Sequence, residues 1–117
     1  MTVILYGIPN CDTVKKARTW LEQHAIEYTF HDFKKGGLAP ELVEGWLKDV
    51  SWDVLVNRKG TTWRGLADAD KNAVVDAPSA AALMLKSPSV VKRPVLSFGG
   101  STHVGFSEVR YQQIFKK

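Results

Sequence analysis

The chain has 117 residues, of which 44% are hydrophobic and 24% are charged, and its formal net charge is +4. This length fits a single domain, residues 1–117, and the apolar content is sufficient for a core that needs no disulfide or metal to hold it. The basic residues occur as scattered pairs rather than as a tract, which argues against a nucleic-acid-binding protein.

Cys11 is the only cysteine, so the chain cannot form an intramolecular disulfide. A single thiol is typical of proteins in a reducing compartment, and the N-terminus does not resemble a signal peptide. The longest strongly apolar stretch, residues 80–85, is far too short to span a bilayer. We therefore expect a cytoplasmic protein without membrane association.

The first third of the sequence predicts a β-α-β unit. Residues 2–7 are almost continuously apolar, which is typical of a strand covered on both faces. A proline and an asparagine end this run, and apolar residues at helical spacing then predict a helix over 11–24. Residues 26–33 alternate between apolar and polar, which predicts a second strand reached by a right-handed crossover.

The middle of the chain predicts a helical insert over about residues 38–88. It is rich in alanine and shows no strand alternation. A loop over residues 34–37 precedes the insert, and residues 61–66 fit neither pattern clearly. The expected elements are, in order, a helix from Pro40 to Val50, a turn at 57–60, and helices over 67–75 and 78–86.

The last part predicts a β-hairpin and a helix. A strand over 90–98 contains a proline, Gly99-Gly100 forms a tight turn, and residues 102–106 return as the partner strand. Ser107 is expected to cap a helix over 108–117. A β-α-β half followed by a β-β-α half predicts a thioredoxin-like α/β fold, with a four-stranded mixed sheet and an inserted helical region.

Cys11 is expected at the junction between the first strand and the first helix. The unpaired amides and the positive end of the helix dipole at such a position favour a thiolate over a thiol, and the thiolate is the reactive form. The same amides can bind an anion. The carboxylate of Asp12 opposes this effect unless its side chain turns outward. A lone cysteine is also commonly a small buried hydrophobic residue, and this alternative stays open.

Other motifs fail on spacing. A low-molecular-weight phosphatase loop requires an arginine six positions after the cysteine, where this chain has Ala17. The three histidines are far apart in the sequence and no second cysteine accompanies them, so no metal site is predicted. The sequence contains neither a phosphate-binding Walker loop nor a dinucleotide-binding glycine fingerprint.

Three segments carry a resemblance to a known family: Tyr6–Ala17, Leu55–Gly60 and Lys92–Val95. In this order, and over nearly the whole chain, they resemble the glutaredoxin-linked arsenate reductase (ArsC/Spx) family, most closely its YffB branch. The resemblance implies a thioredoxin-like fold with a helical insert.

The resemblance also implies roles for individual residues. Cys11 would be the nucleophile, and Arg58 and Arg93 would hold an oxyanion or a glutathione carboxylate beside it. Pro94 would match the proline, usually cis, that faces the active cysteine. Two neighbours of the cysteine in the sequence, Asn10 and Lys15, are further candidates for binding the anion. Surface ion pairs for the arginines and an edge-strand start for the proline remain alternatives.

The implied function is a glutathione- or glutaredoxin-dependent thiol reductase with one catalytic cysteine and no metal. Glutathione would be the co-substrate, and a small oxyanion or a disulfide would be the substrate. Arsenate reductases carry a third arginine before the last helix, where this chain has Gly105, with His103 as the nearest substitute. Two other functions remain open: an Spx-like adaptor that binds RNA polymerase, and a non-catalytic glutathione-binding domain.

Overall fold

The structure is a computed structural model that describes residues 2–117. Residues 2–33 together with Arg93–Lys117 form one compact unit, the sheet-bearing unit, and Lys34–Lys92 form a second, helical unit. The prediction of a single domain with an insert over about 38–88 stays a prediction. No helix within the described range is long and apolar enough to cross a membrane.

Four strands, eight α-helices or helical turns and one 3-10 helix are found within residues 2–117. In chain order they are β1 (Val3–Gly7), α1 (Asp12–Gln23), β2 (Thr29–Asp32), α2 (Phe33–Gly36), α3 (Pro40–Asp49), α4 (Trp52–Leu55), α5 (Thr61–Arg64), α6 (Asp68–Asn72), α7 (Ala77–Lys86), the 3-10 helix (Pro88–Val90), β3 (Val95–Phe98), β4 (Ser101–Val104) and α8 (Glu108–Phe115).

The predicted mixed sheet is confirmed, with strand order β2-β1-β3-β4. β1 runs parallel to β2 and antiparallel to β3, and β3 and β4 form the predicted hairpin. Gly99 and Gly100 make its turn with φ of 62° and 78°, a left-handed conformation that glycine adopts without a steric penalty.

Helices α1 and α8 contribute to a single core cluster with the sheet. The buried members of that cluster come from both helices and from the central strands: Val3, Leu5, Ala17, Trp20, Leu21, Leu96 and Tyr111. Two of these residues are aromatic, and the Trp20 ring meets the Tyr111 ring edge-on at 5.5 Å between ring centroids. This packing fixes the start of α1, and with it Cys11, relative to the end of β1.

The second strand begins later than its alternation predicts, at Thr29 instead of Ile26. Ala25 adopts a left-handed conformation with φ of 55°, and the Ile26 amide donates to the Leu21 carbonyl at 3.0 Å. These features form a helix C-cap of the Schellman type. The backbone of Ile26 therefore still belongs to the end of α1.

The strand expected over 90–98 is also shorter, because β3 begins only at Val95. Val90 ends the 3-10 helix, and the Lys92 amide donates to the Leu55 carbonyl at 2.7 Å, so this stretch is bonded within the helical unit. The loop expected at 34–37 is largely a helical turn, α2. The helix expected over 67–75 is restricted to Asp68–Asn72.

Candidate active site

One end of the sheet collects most of the residues singled out from the sequence. β1, β2 and β4 end there and β3 begins there, because Val95 pairs with both Tyr6 and Val104. Neighbouring strands are about 4.8 Å apart, so the loop that leaves β1 and the loop that enters β3 start side by side. The first of these loops leads to Cys11 and the second contains Pro94.

Cys11 is the N-cap residue of α1. Its backbone is extended, with φ of −130° and ψ of 124°, and its carbonyl accepts the first intrahelical hydrogen bond from the Lys15 amide at 2.9 Å. Its side chain makes no capping hydrogen bond to the rest of the described chain and is partly exposed. The thiol therefore lies at the N-terminus of α1. The backbone amides of the first helical turn, before Lys15, have no intrahelical hydrogen-bond acceptor.

Pro94 is buried, and the Arg93–Pro94 peptide bond is cis, as the resemblance implies. The Pro94 carbonyl accepts a hydrogen bond from the Gly105 amide at 2.8 Å, which ties the loop before β3 to the end of β4. Arg93 is partly buried at the same end of the sheet. Its proposed role in binding an anion stays a prediction.

The remaining predicted residues lie in two places. Asn10 and Lys15 are exposed on either side of Cys11 in the sheet-bearing unit. Arg58 belongs to the helical unit, where it is exposed and its guanidinium carbon lies 5.7 Å from the centroid of the Trp52 ring. A hydrogen bond from the Ser51 side chain and, to a smaller extent, the charge of Arg58 hold the pKa of Asp53 below its usual range.

Arg110 brings a guanidinium group to the end of β4, which the sequence reasoning missed. Its Nη1 donates to the Val104 carbonyl at 2.8 Å, and its backbone amide donates to the Ser107 hydroxyl at 3.2 Å. Gly105 lies directly after Val104 and has φ of 84°, which favours glycine. The sequence did contain a signal for this position. With Ser107 as the helix N-cap, Arg110 falls three positions later, in the first turn of the helix.

His103 is the expected substitute for a third arginine. It pairs with Leu96, one step further into the sheet than the Val95–Val104 pair.

Tyr6 lies one residue before the end of β1. Burial raises the pKa of its phenol, and its ring meets the His31 ring edge-on at 5.4 Å between ring centroids. Its phenol is therefore neutral at physiological pH. Within residues 2–117, no three histidine, cysteine or carboxylate side chains are grouped to hold a metal ion.

Comparison with known proteins identifies the family, because residues 6–114 match ArsC. The chain belongs to the ArsC family. Its structure is similar to that of the YffB protein, with a TM-score of 0.91 and 48% identity over 96% of this chain and 97% of that one. An arsenate reductase (ArsC) related protein from Brucella melitensis is 54% identical, with a TM-score of 0.77, over 100% of this chain and 97% of that one.

A more distant relative of this ArsC-family protein is the global transcriptional regulator Spx of Staphylococcus aureus. It is 26% identical over 109 residues, which cover 91% of this chain and 81% of Spx. These similarities confirm the family and the thioredoxin-like α/β fold that the sequence predicts. The roles of the individual site residues stay predictions.

Proposed function

We propose that this ArsC-family protein is a glutathione- or glutaredoxin-dependent thiol reductase in which Cys11 is the single catalytic thiol. The observation that carries the proposal is the position of Cys11, partly exposed as the N-cap of α1 at the end of the sheet where the cis Pro94 also lies. A reducing cytoplasm, in which glutathione is abundant, is the compartment where such a thiol would work.

The chemistry follows from the single cysteine. The Cys11 thiolate attacks one sulfur of a disulfide substrate, the S–S bond breaks, and the other sulfur leaves as a thiolate. The product is a mixed disulfide on Cys11. Because the chain has no second cysteine, a thiolate of glutathione or of a glutaredoxin must attack that mixed disulfide and release Cys11. A small oxyanion is the other substrate class proposed for this site.

Cationic and polar groups would bind the anionic parts of the substrate or of glutathione. Arginine is suited to this because its planar guanidinium can donate two parallel hydrogen bonds to a carboxylate or an oxyanion. We assign this role to Arg93, Asn10 and Lys15 in the sheet-bearing unit and to Arg58 in the helical unit. Each assignment is tested by a separate variant, since the residues belong to different elements.

The decisive experiment is adduct formation followed by turnover. Reduced protein is mixed with oxidised glutathione, and the mass of the intact chain is measured. We expect one glutathione per chain in the wild type and none in Cys11→Ser. Turnover of hydroxyethyl disulfide is then measured with glutathione, with and without a glutaredoxin. If Cys11→Ser were as active as the wild type, the enzymatic proposal would have to be abandoned.

The similarity to Spx favours a second candidate, an adaptor that binds RNA polymerase without turnover. Spx-type regulators often carry a Cys-x-x-Cys switch, and the fourth position of that motif is Val14 here. Capture from a cell lysate followed by mass spectrometry separates the two, since polymerase subunits would favour the adaptor. Calorimetry with glutathione would identify a third candidate, a domain that binds glutathione and shows no turnover.

A further inference from the structure

A pocket of about 240 Å³ in the helical unit is lined by residues of α7 and by residues in and beside α6. From α7 it receives Ser79, Leu83 and Lys86, which share one face of the helix because they are spaced by three or four residues. Pockets that hold drug-sized ligands have volumes of about 300–1,000 Å³, so this one fits a smaller molecule.

This pocket has an apolar floor and a charged rim. Leu66 and Val74 are half-buried and Leu83 is buried, so these apolar side chains form its inner surface. Asp70 and Lys86, the rim pair, also line the pocket but are exposed, so their charges border its opening. A ligand bound here would place an apolar group on the floor and its charged groups at the rim.

Other polar side chains near the pocket already have partners. The Ser79 hydroxyl accepts the Asp76 amide at 3.1 Å and donates to the Asp76 carboxylate at 2.6 Å, as part of the cap of α7. Lys71 of α6 donates to the Arg64 carbonyl at 3.3 Å. The rim pair therefore supplies the carboxylate and the ammonium group that can receive a ligand.

The rim pair is complementary to a zwitterion. An amino acid carries an ammonium group, which the carboxylate attracts, and a carboxylate, which the ammonium group attracts. The floor favours an aliphatic side chain, because apolar surface gains free energy on leaving water and an unpaired polar group loses it. From Ser79 to Lys86 the helix rises about 10 Å, which is long enough for an amino acid or for a dipeptide of about 7 Å. The small volume favours the free amino acid.

We propose that this pocket binds a free aliphatic amino acid such as leucine. Its carboxylate binds Lys86, its ammonium group binds Asp70, and its side chain lies on the apolar floor. The inference goes beyond the proposed function. All residues that line the pocket belong to the helical unit, and none of them takes part in the proposed thiol chemistry. Cys11→Ser should therefore bind leucine as the wild type does.

The test titrates the full chain with L-leucine while the backbone amide resonances are recorded by NMR. We expect saturable shifts at Leu66, Val74 and Leu83. Three related ligands each remove one feature: N-acetylleucine lacks the ammonium charge, leucinamide lacks the carboxylate, and glycine lacks the side chain. Loss of either charge should raise the dissociation constant about two- to fivefold, as expected for an exposed ion pair. Glycine should bind at least about tenfold more weakly than leucine.

Two variants remove the rim pair one charge at a time. Asp70→Asn and Lys86→Gln should each raise the dissociation constant for leucine about two- to fivefold. Asp70→Asn should also no longer distinguish leucine from N-acetylleucine, because the partner of the ammonium group is gone. The matched controls are Asp68→Asn, in the same first turn of α6, and Lys48→Gln, which like Lys86 lies in the last turn of its helix. Neither control residue lines the pocket, so both should keep the wild-type dissociation constant.

Four results would overturn the inference in whole or in part. A wild type without saturable shifts up to about 50 mM leucine would overturn the site. An equal loss of affinity in the variants and their controls would also overturn it, because the effect would then belong to net charge alone. One dissociation constant for leucine, N-acetylleucine and leucinamide would overturn the zwitterion as the ligand. Tighter binding of the dipeptide leucylglycine would overturn the free amino acid.

Discussion

A substitution at Gly7 tests how the sheet positions α1, the helix that begins after Cys11. It is the last residue of β1 and is buried. A Cβ atom at this position would lie 2.8 Å from Cγ2 and 3.2 Å from Cγ1 of Val14, a fully buried residue of α1. Carbon atoms pack best at about 3.5–4.0 Å, so Gly7→Ala requires the strand end and the helix to move apart.

The cost of this substitution can be bounded. Overpacking a buried contact costs about 1–3 kcal/mol. Replacing glycine also removes conformational freedom from the unfolded chain, which offsets about 0.4–1 kcal/mol. We therefore expect Gly7→Ala to lower the free energy of unfolding by about 1–2 kcal/mol, measured by equilibrium urea unfolding at neutral pH.

A double variant makes the interpretation specific. Val14→Ala alone should cost about 2 kcal/mol for its lost methyl groups and the cavity they leave. In Gly7→Ala with Val14→Ala the clash is absent, so the total loss should be about 1 kcal/mol smaller than the sum of the two single losses. Gly7→Ala as stable as the wild type, or strictly additive losses, would refute the close contact between the end of β1 and α1.

Three further substitutions test other contacts by urea unfolding. The Tyr111 hydroxyl is buried and has no hydrogen-bond partner within residues 2–117, so Tyr111→Phe should raise the free energy of unfolding by about 1 kcal/mol. Burial also raises the pKa of Tyr111, so wild-type stability should fall above about pH 10, where the unfolded phenol ionises first, and this fall should be weaker in Tyr111→Phe. Ser107→Ala removes the N-cap of α8 and should cost about 1 kcal/mol, whereas Ser107→Asp should keep most of the stability. Arg18→Lys removes a guanidinium group whose carbon lies 4.2 Å from the Phe30 ring centroid. It should lower the free energy of unfolding by up to about 1 kcal/mol. An unchanged free energy of unfolding would show that this contact is not significant.

Local sequence signals were sufficient for the framework of the fold. The apolar run before Pro9 and the helical spacing after Cys11 placed β1 and α1 almost to the residue. Ser107 was correctly identified as a helix cap, because its side chain accepts the Arg110 amide. These features depend on neighbours in the sequence, so a single sequence contains the information that defines them.

The errors arise where tertiary or unusual local geometry overrides the pattern. Ala25 carries a left-handed conformation that its residue type does not suggest, and this shortened β2. The start of β3 was missed because a hydrogen bond from Lys92 to Leu55, distant in sequence, keeps this segment with the helical unit.

The central proposal is that Cys11, at the start of α1, is the reactive group of this protein, and the rate of its alkylation tests this most directly. Folded protein and the same chain unfolded in urea are reacted with iodoacetamide at pH 7, with free glutathione as the standard in each solvent. Relative to that standard, we expect Cys11 to react faster in the folded protein than in the unfolded chain. A folded protein that reacts more slowly than the unfolded chain would contradict the account.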